Sequence, residues 1–99
     1  MRIQKKLLKW QAASLDVVKH RLYCEPEGTP IDYLSSSVDV QMPTCEALMP
    51  DTFGTVPDSC HIGISALDDK GNESDIIEWP GFFDFVPPNA PIALTIEDY

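Results

Sequence analysis

The sequence predicts an all-β sandwich of about seven short strands, and three observations carry that expectation. From Cys60 to Ala66 the residues alternate: Ile62, Ile64 and Ala66 fall on one side, His61, Gly63 and Ser65 on the other. That period of two marks a strand with one buried face. Turn-forming residues punctuate the chain roughly every 8–12 residues, the spacing of short antiparallel strands. No stretch requires a helix. The most helix-prone one, Ile3 to Trp10, is short and has no clear N-cap.

In chain order, Ile3 to Trp10 reads as the first strand, with Leu8 and Trp10 facing the core and Lys5 and Lys9 facing out. Lys6 falls on the inward parity, so it belongs at a rim where its stem can lie on apolar surface and its ammonium reach water. Ala12 to Asp16 is a turn. Val18 to Glu25 is the second strand, with Val18, His20, Leu22 and Cys24 on one face. Pro26, Gly28 and Pro30 end it. Val38 to Met42 is the third strand, preceded by a serine run at 35–37 that reads as a loop or a weakly specified edge. Thr44 to Leu48 is a fourth, short strand. Met49 to Ser59, with Pro50, Gly54 and Pro57, is a long loop. Within it Phe53 and Val56 either pack over the end of the sandwich or form candidate contacts at a binding tip.

The alternating strand at Cys60 to Ala66 runs into Asp68-Asp69-Lys70-Gly71-Asn72, a turn in which Gly71 and Asn72 tolerate positive φ. Asp75 to Val86 returns as the last strand of the sandwich. Pro80-Gly81 breaks it, which requires an edge, bulge or kink there. Phe83 and Phe85 share one face and Phe82 takes the other. Residues 87–91, Pro-Pro-Asn-Ala-Pro, are a stiff linker. Residues 92–99, IALTIEDY, form one more strand candidate. The expected organisation is therefore a sandwich over 1–86, a linker over 87–91 and a C-terminal strand over 92–99.

Several of these stretches, in this order, resemble a fibronectin type III domain of the bacterial repeat-protein kind, within the immunoglobulin-like sandwiches. Leu8-Lys9-Trp10 is similar to the end of strand B with its core Trp. His20 to Tyr23 resembles strand C. Leu48-Met49-Pro50 resembles the Leu-x-Pro before strand F. Ala66 to Ser74 resembles the end of strand F and its acidic turn with Gly-Asn-Glu-Ser. The resemblance covers roughly residues 6–86 and departs from the family twice. The family's Tyr at the E–F corner is replaced by Cys60. Little chain precedes Lys6 to supply strand A, while 92–96 resembles the strand A of a following domain.

Composition bounds the function. Ninety-nine residues with 43% hydrophobic content predict one globular domain. The net charge of −9 is uneven: residues 1–21 hold six of the seven cations against Asp16, and Lys70 faces the other fifteen acids. An acidic bulk argues against nucleic acid. No apolar run approaches the roughly 20 residues of a membrane span. No signal-peptide pattern opens the chain, which predicts a cytoplasmic protein; a mature form or a fragment would instead be extracellular or at a cell surface. Cys24, Cys45 and Cys60 form no Cys-x-x-Cys pair. They read as buried thiols, or as one disulfide plus a free thiol in an exported chain. No metal or cofactor is expected. DDKGNESD at 68–75 supplies oxygen ligands but lacks calcium-loop spacing, and its residues suit a hairpin turn. No nucleophile motif accompanies His20 or His61, which should face opposite sides of the sandwich.

A non-enzymatic chain of this kind is expected to be a protein-interaction or self-assembly module. The alternative is a repeat unit of a cell-surface or carbohydrate-associated protein. The expected partner is protein, in particular another copy, through strand exchange into a homodimer or oligomer. The resemblance implies that strand A pairs antiparallel with strand B. The candidate interface is therefore Arg2, Lys5, Lys6 and Leu7 on one side, and Ile92, Leu94, Ile96, Glu97 and Asp98 on the other, with opposite charges meeting.

Overall fold

A computed structural model describes residues 2–98. Met1 and Tyr99 lie outside the described residues, so the expected strand at 92–99 is described only to Asp98. Seven strands form among the described residues: β1 Lys6–Lys9, β2 Val17–Pro26, β3 Ser36–Gln41, β4 Glu46–Met49, β5 Ser59–Asp68, β6 Ile77–Glu78 and β7 Phe83–Asp84. Among the described residues there is no helix. The strands make two antiparallel sheets. One is β1 with β4; the other runs β3-β2-β5-β6, with β7 also on β5. The two sheets enclose an apolar core, which makes the fold an all-β sandwich.

The core follows from the period-two pattern of the two long central strands. Leu22 and Cys24 of β2 and Cys60 and Ile62 of β5 are buried on the inner face, with Met49 of β4 and Phe85 beyond β7. Leu8, Trp10, Ala47 and Val40 pack against them from the second sheet and the rim. In β1 the core parity is as expected: Lys6, Leu8 and Trp10 share the inner side, with Lys6 at the edge and exposed.

The structure corrects several boundaries. Of the two readings of the serine run, the edge holds and the loop does not: Ser36 and Ser37 pair with Cys24 and Tyr23 as the start of β3, the edge strand of its sheet. Val18 does not share the buried face of β2. A register shift between Val17 and Lys19 turns it outward, and it is exposed. Ile64 and Ala66 are only half-buried, while Gly63, Ser65 and Leu67 on the other face are buried. The reason is length. β1 and β4 have four residues each, too few to cover the C-terminal half of β5. On the opposite side, side chains from the loops at 31–33 and 73–76 close over the sheet, where Ile31 and Ile76 lie against Gly63 and the Tyr33 ring meets Tyr23 edge-on. Tyr23 is consequently 0% exposed on the face away from the core.

The last sandwich strand is broken as its Pro80-Gly81 requires, into β6 and β7, which both pair with β5. Phe85 is buried, Phe83 half-buried and Phe82 exposed, matching the alternation. Residues 87–98 form no strand in the single chain and extend away from the sandwich, giving principal extents of 70 × 27 × 21 Å.

Candidate functional site

The site is built by an omission in the smaller sheet. Among the described residues β1 pairs with β4 along one edge and with no strand along the other. Trp10 donates its N–H to the Cys45 carbonyl on the β4 side. Alternation along an extended strand therefore points the N–H and C=O groups of Leu7 and Lys9 outward, toward the open edge. Unpaired backbone groups of this kind are a template for another strand.

β4 and β3 also have free edges, and what separates β1 from them is the groove beside it. Between β1 and β6 the two sheets gape, leaving a cavity of about 580 Å³. Leu8 and Trp10 form the β1 wall. Leu22, Ile62 and Ile64 form the floor. Ile77, Trp79 and Phe83 form the opposite wall. Trp79 is stacked on Phe83 with ring centroids 6.4 Å apart, and Phe83 on Phe85 at 6.1 Å. This aromatic row holds the far wall in place although Trp79 is 60% exposed. Large apolar residues left open to solvent along one continuous groove mark a place where something binds.

The β1 rim of the groove is basic, while Glu78 lines the groove on the β6 side. Lys6 and Lys9 line it and are exposed, and Arg2 and Lys5 continue the positive charge beyond the start of β1. Lys5 pairs with Asp51 at 2.7 Å in an exposed contact. Leu7, on the outer face, lies opposite Leu48 and remains 51% exposed.

The expected tail half of the interface is not brought to this edge. Ile92, Leu94 and Ile96 are 103%, 92% and 90% exposed, and Glu97 and Asp98 are exposed beside them. Phe53 and Val56 are half-buried and pack against the core cluster, so the long loop lies over the end of the sandwich. They also line a smaller cleft of about 360 Å³ with Cys24 and Pro26.

The titratable groups have structural assignments. His20 lies on the core face, its ring edge-on to Trp10 at 5.8 Å, and burial lowers its pKa. His61 lies on the other face, with Nδ1 3.3 Å from Glu78 Oε1 and Nε2 against the Thr29 carbonyl. Burial pushes the Cys24 thiol up to about 12 and raises that of Cys60, so both are poor nucleophiles. All three cysteines are free. Asp68 accepts N–H bonds from Lys70 and Asn72, each 2.9 Å, and its Oδ2 takes the Asn72 amide at 3.0 Å. Its carboxylate is occupied in holding the hairpin turn. Among the described residues no group of three or more His, Cys, Asp or Glu gathers to hold a metal. No helix there is long and apolar enough to cross a membrane.

Sequence reasoning missed two features. One is the β6 wall: Ile77 and Trp79 lie in the stretch from Asp75 to Val86 that reads only as a strand, and the gap between sheets makes them groove lining. The other is a polar cluster on the outer face. There Tyr23 and Ser65 donate hydroxyls to Glu73, the latter at 2.6 Å, while Arg21 bridges Glu73 at 3.2 Å and Asp39 at 2.7 Å. Lys19 adds a 2.9 Å contact to Asp39. This network ties the returning hairpin to the sheet and opens onto neither groove. No protein-family model, curated protein or solved structure matches the chain.

Proposed function

We propose that the protein is a non-catalytic protein-interaction module with an immunoglobulin-like, fibronectin type III-like sandwich, and that it binds an extended segment of a protein partner at the β1 edge. The observation that carries this is the unpaired edge of β1 lying along an apolar groove. Strand addition uses both parts: the edge supplies backbone hydrogen bonds and the groove accepts alternate side chains. The pairings support the family reading. β1 with β4, and β2 with β5 and then β6 and β7, correspond to B with E, and to C, F and G, in immunoglobulin-like sandwiches. The outer edge of β1 is where strand A would pair.

Amide resonances recorded while extended peptides are added test this reading. Shifts should map to Leu7, Lys9, Ile77 and Trp79. Leu7→Pro removes one outward N–H without touching the β4 pairing and should weaken binding about tenfold, the loss of roughly 1.4 kcal/mol. Shifts confined to another surface would sink the proposal.

A second reading, a repeat unit of a cell-surface or carbohydrate-associated protein, is favoured by the exposed Trp79 platform and by the linker-plus-strand pattern of residues 87–96. Titration with soluble glycans, followed by tryptophan fluorescence in the wild-type chain and in Trp79→Phe, separates it from the first.

A further inference from the structure

We infer that the segment seated in the β1 groove is residues 92–96 of a second copy of this chain, so that the protein assembles by exchanging its C-terminal strand. This rests on the reading of the β1 edge as a strand-accepting site and names its occupant.

Pattern, charge and reach each point to the same segment. Ile92, Leu94 and Ile96 alternate with Ala93 and Thr95, and all three large residues are almost wholly exposed in the single chain. A segment with strand-like alternation, one apolar side and no sheet to cover it matches a sheet edge with an apolar groove and no strand to fill it. Running antiparallel to β1, with Leu94 beside Leu8, the tail sets Ile92 beside Trp10 and Ile96 beside the aliphatic stem of Lys6. All three then face the groove toward Ile64, Ile77 and Trp79. The same register puts Glu97 opposite Lys5 on the outer side, with Asp98 next to it on the way to Arg2. A parallel run would carry both acids away from that end of β1.

The tail cannot take this position in its own groove. It leaves the sandwich after Phe85, whose N–H bonds the Asp58 carbonyl at 2.6 Å. Asp58 directly precedes β5, and β2, antiparallel to β5, starts at the opposite pole, where His20 meets Trp10, so the tail exits at the pole away from Trp10, where β1 begins. An antiparallel strand must start at the other end, beside Trp10. The five residues 87–91 span at most about 18 Å. They would have to climb the length of β1 and then reverse, and a tight reversal alone occupies four residues. A second copy approaching from outside meets no such limit.

Light scattering on the full chain, with the variant Leu94→Asp beside it, tests the assignment. The substitution touches nothing in the folded sandwich, so a folded variant is expected. The wild-type chain should run as a dimer or a longer oligomer, and Leu94→Asp as a monomer. A chain ending at Pro88 should be monomeric and should bind a synthetic peptide of residues 89–99. Its dissociation constant should rise roughly two- to fivefold in Lys5→Glu and recover when the peptide carries Glu97→Lys. A monomeric wild-type chain overturns the inference. So does a monomer in which the amides of 92–96 are protected from exchange, which would place the tail in its own groove. If the shortened chain rejects the 89–99 peptide but binds a different strand-forming peptide, the occupant is wrong and the strand-accepting edge stands. If it binds no extended peptide at all, both readings fall.

Discussion

Gly63 is the residue at which one added carbon has the largest consequence. A Cβ there would sit 2.7 Å from Ile76 Cγ2 and 3.3 Å from Ile31 Cδ1. The position is buried because loop residues, and not the facing sheet, cover that side of β5. Alternation marks Gly63 as outward, and nothing in the sequence shows what lies over it. Gly63→Ala should destabilise by about 1–3 kcal/mol through overpacking. Urea unfolding measures this. In an Ile76→Ala background the same substitution should cost less, because the crowding atom is gone; an equal cost in both backgrounds would refute the steric account.

At the scale of elements, the β5–β6 hairpin shows local chemistry setting a turn. Gly71 has φ +84°, and nothing lies within 4 Å of where its Cβ would be. Asp68 and Asn72 close the turn around it, and Asn72 does not itself need positive φ. Gly71→Ala should therefore cost about 1–2 kcal/mol from backbone conformation alone, with Gly71→Asn recovering part of it. Equilibrium unfolding of the two variants checks the order. β1 is the opposite kind of element. Its four residues have no stabilising turn of their own, and what fixes it is Leu8 and Trp10 packing on β2 and β5. The residues predict a strand there, and among the described residues β4 is its single partner, which leaves its other edge spare.

For the whole molecule, acid stability should fall in two steps, with opposite chemistry and the same sign. His20 is held neutral by burial, so its folded pKa lies below the ordinary 6.5. The unfolded chain binds that proton more readily, and stability drops as pH falls below about 6.5. Asp39 is lowered from 3.8 to about 2, first by its hydrogen bond with Arg21 and then by Lys19. Its contribution is complete above 3.8 and lost as pH falls to about 2. Urea midpoints measured from pH 8 to pH 2 should show both steps. Asp39→Asn should shrink the lower one, to which Asp68, held low by its hydrogen bond with Asn72, also contributes, and His20→Phe should remove the upper.

The sequence by itself determined the all-β class, the order of the strands, the turn at Gly71, the opposite faces of the two histidines and the break at Pro80-Gly81. Each is a local property, set by side-chain alternation, φ preference or a missing N–H, and so is legible residue by residue. It also presented the two halves of the candidate interface, the basic first strand and the apolar-acidic tail, which the family resemblance joins by strand exchange and the single chain leaves apart. Only the tertiary structure decided where the sheets fail to cover each other. That depends on how far β1 and β4 reach along β5, and the mismatch leaves Ile64 half-open and brings Ile77 and Trp79 to the wall of a groove, while loop residues around Tyr33 and Glu73 bury Tyr23 on the far face. Coverage is a relation between elements distant in the chain, and no single stretch encodes it.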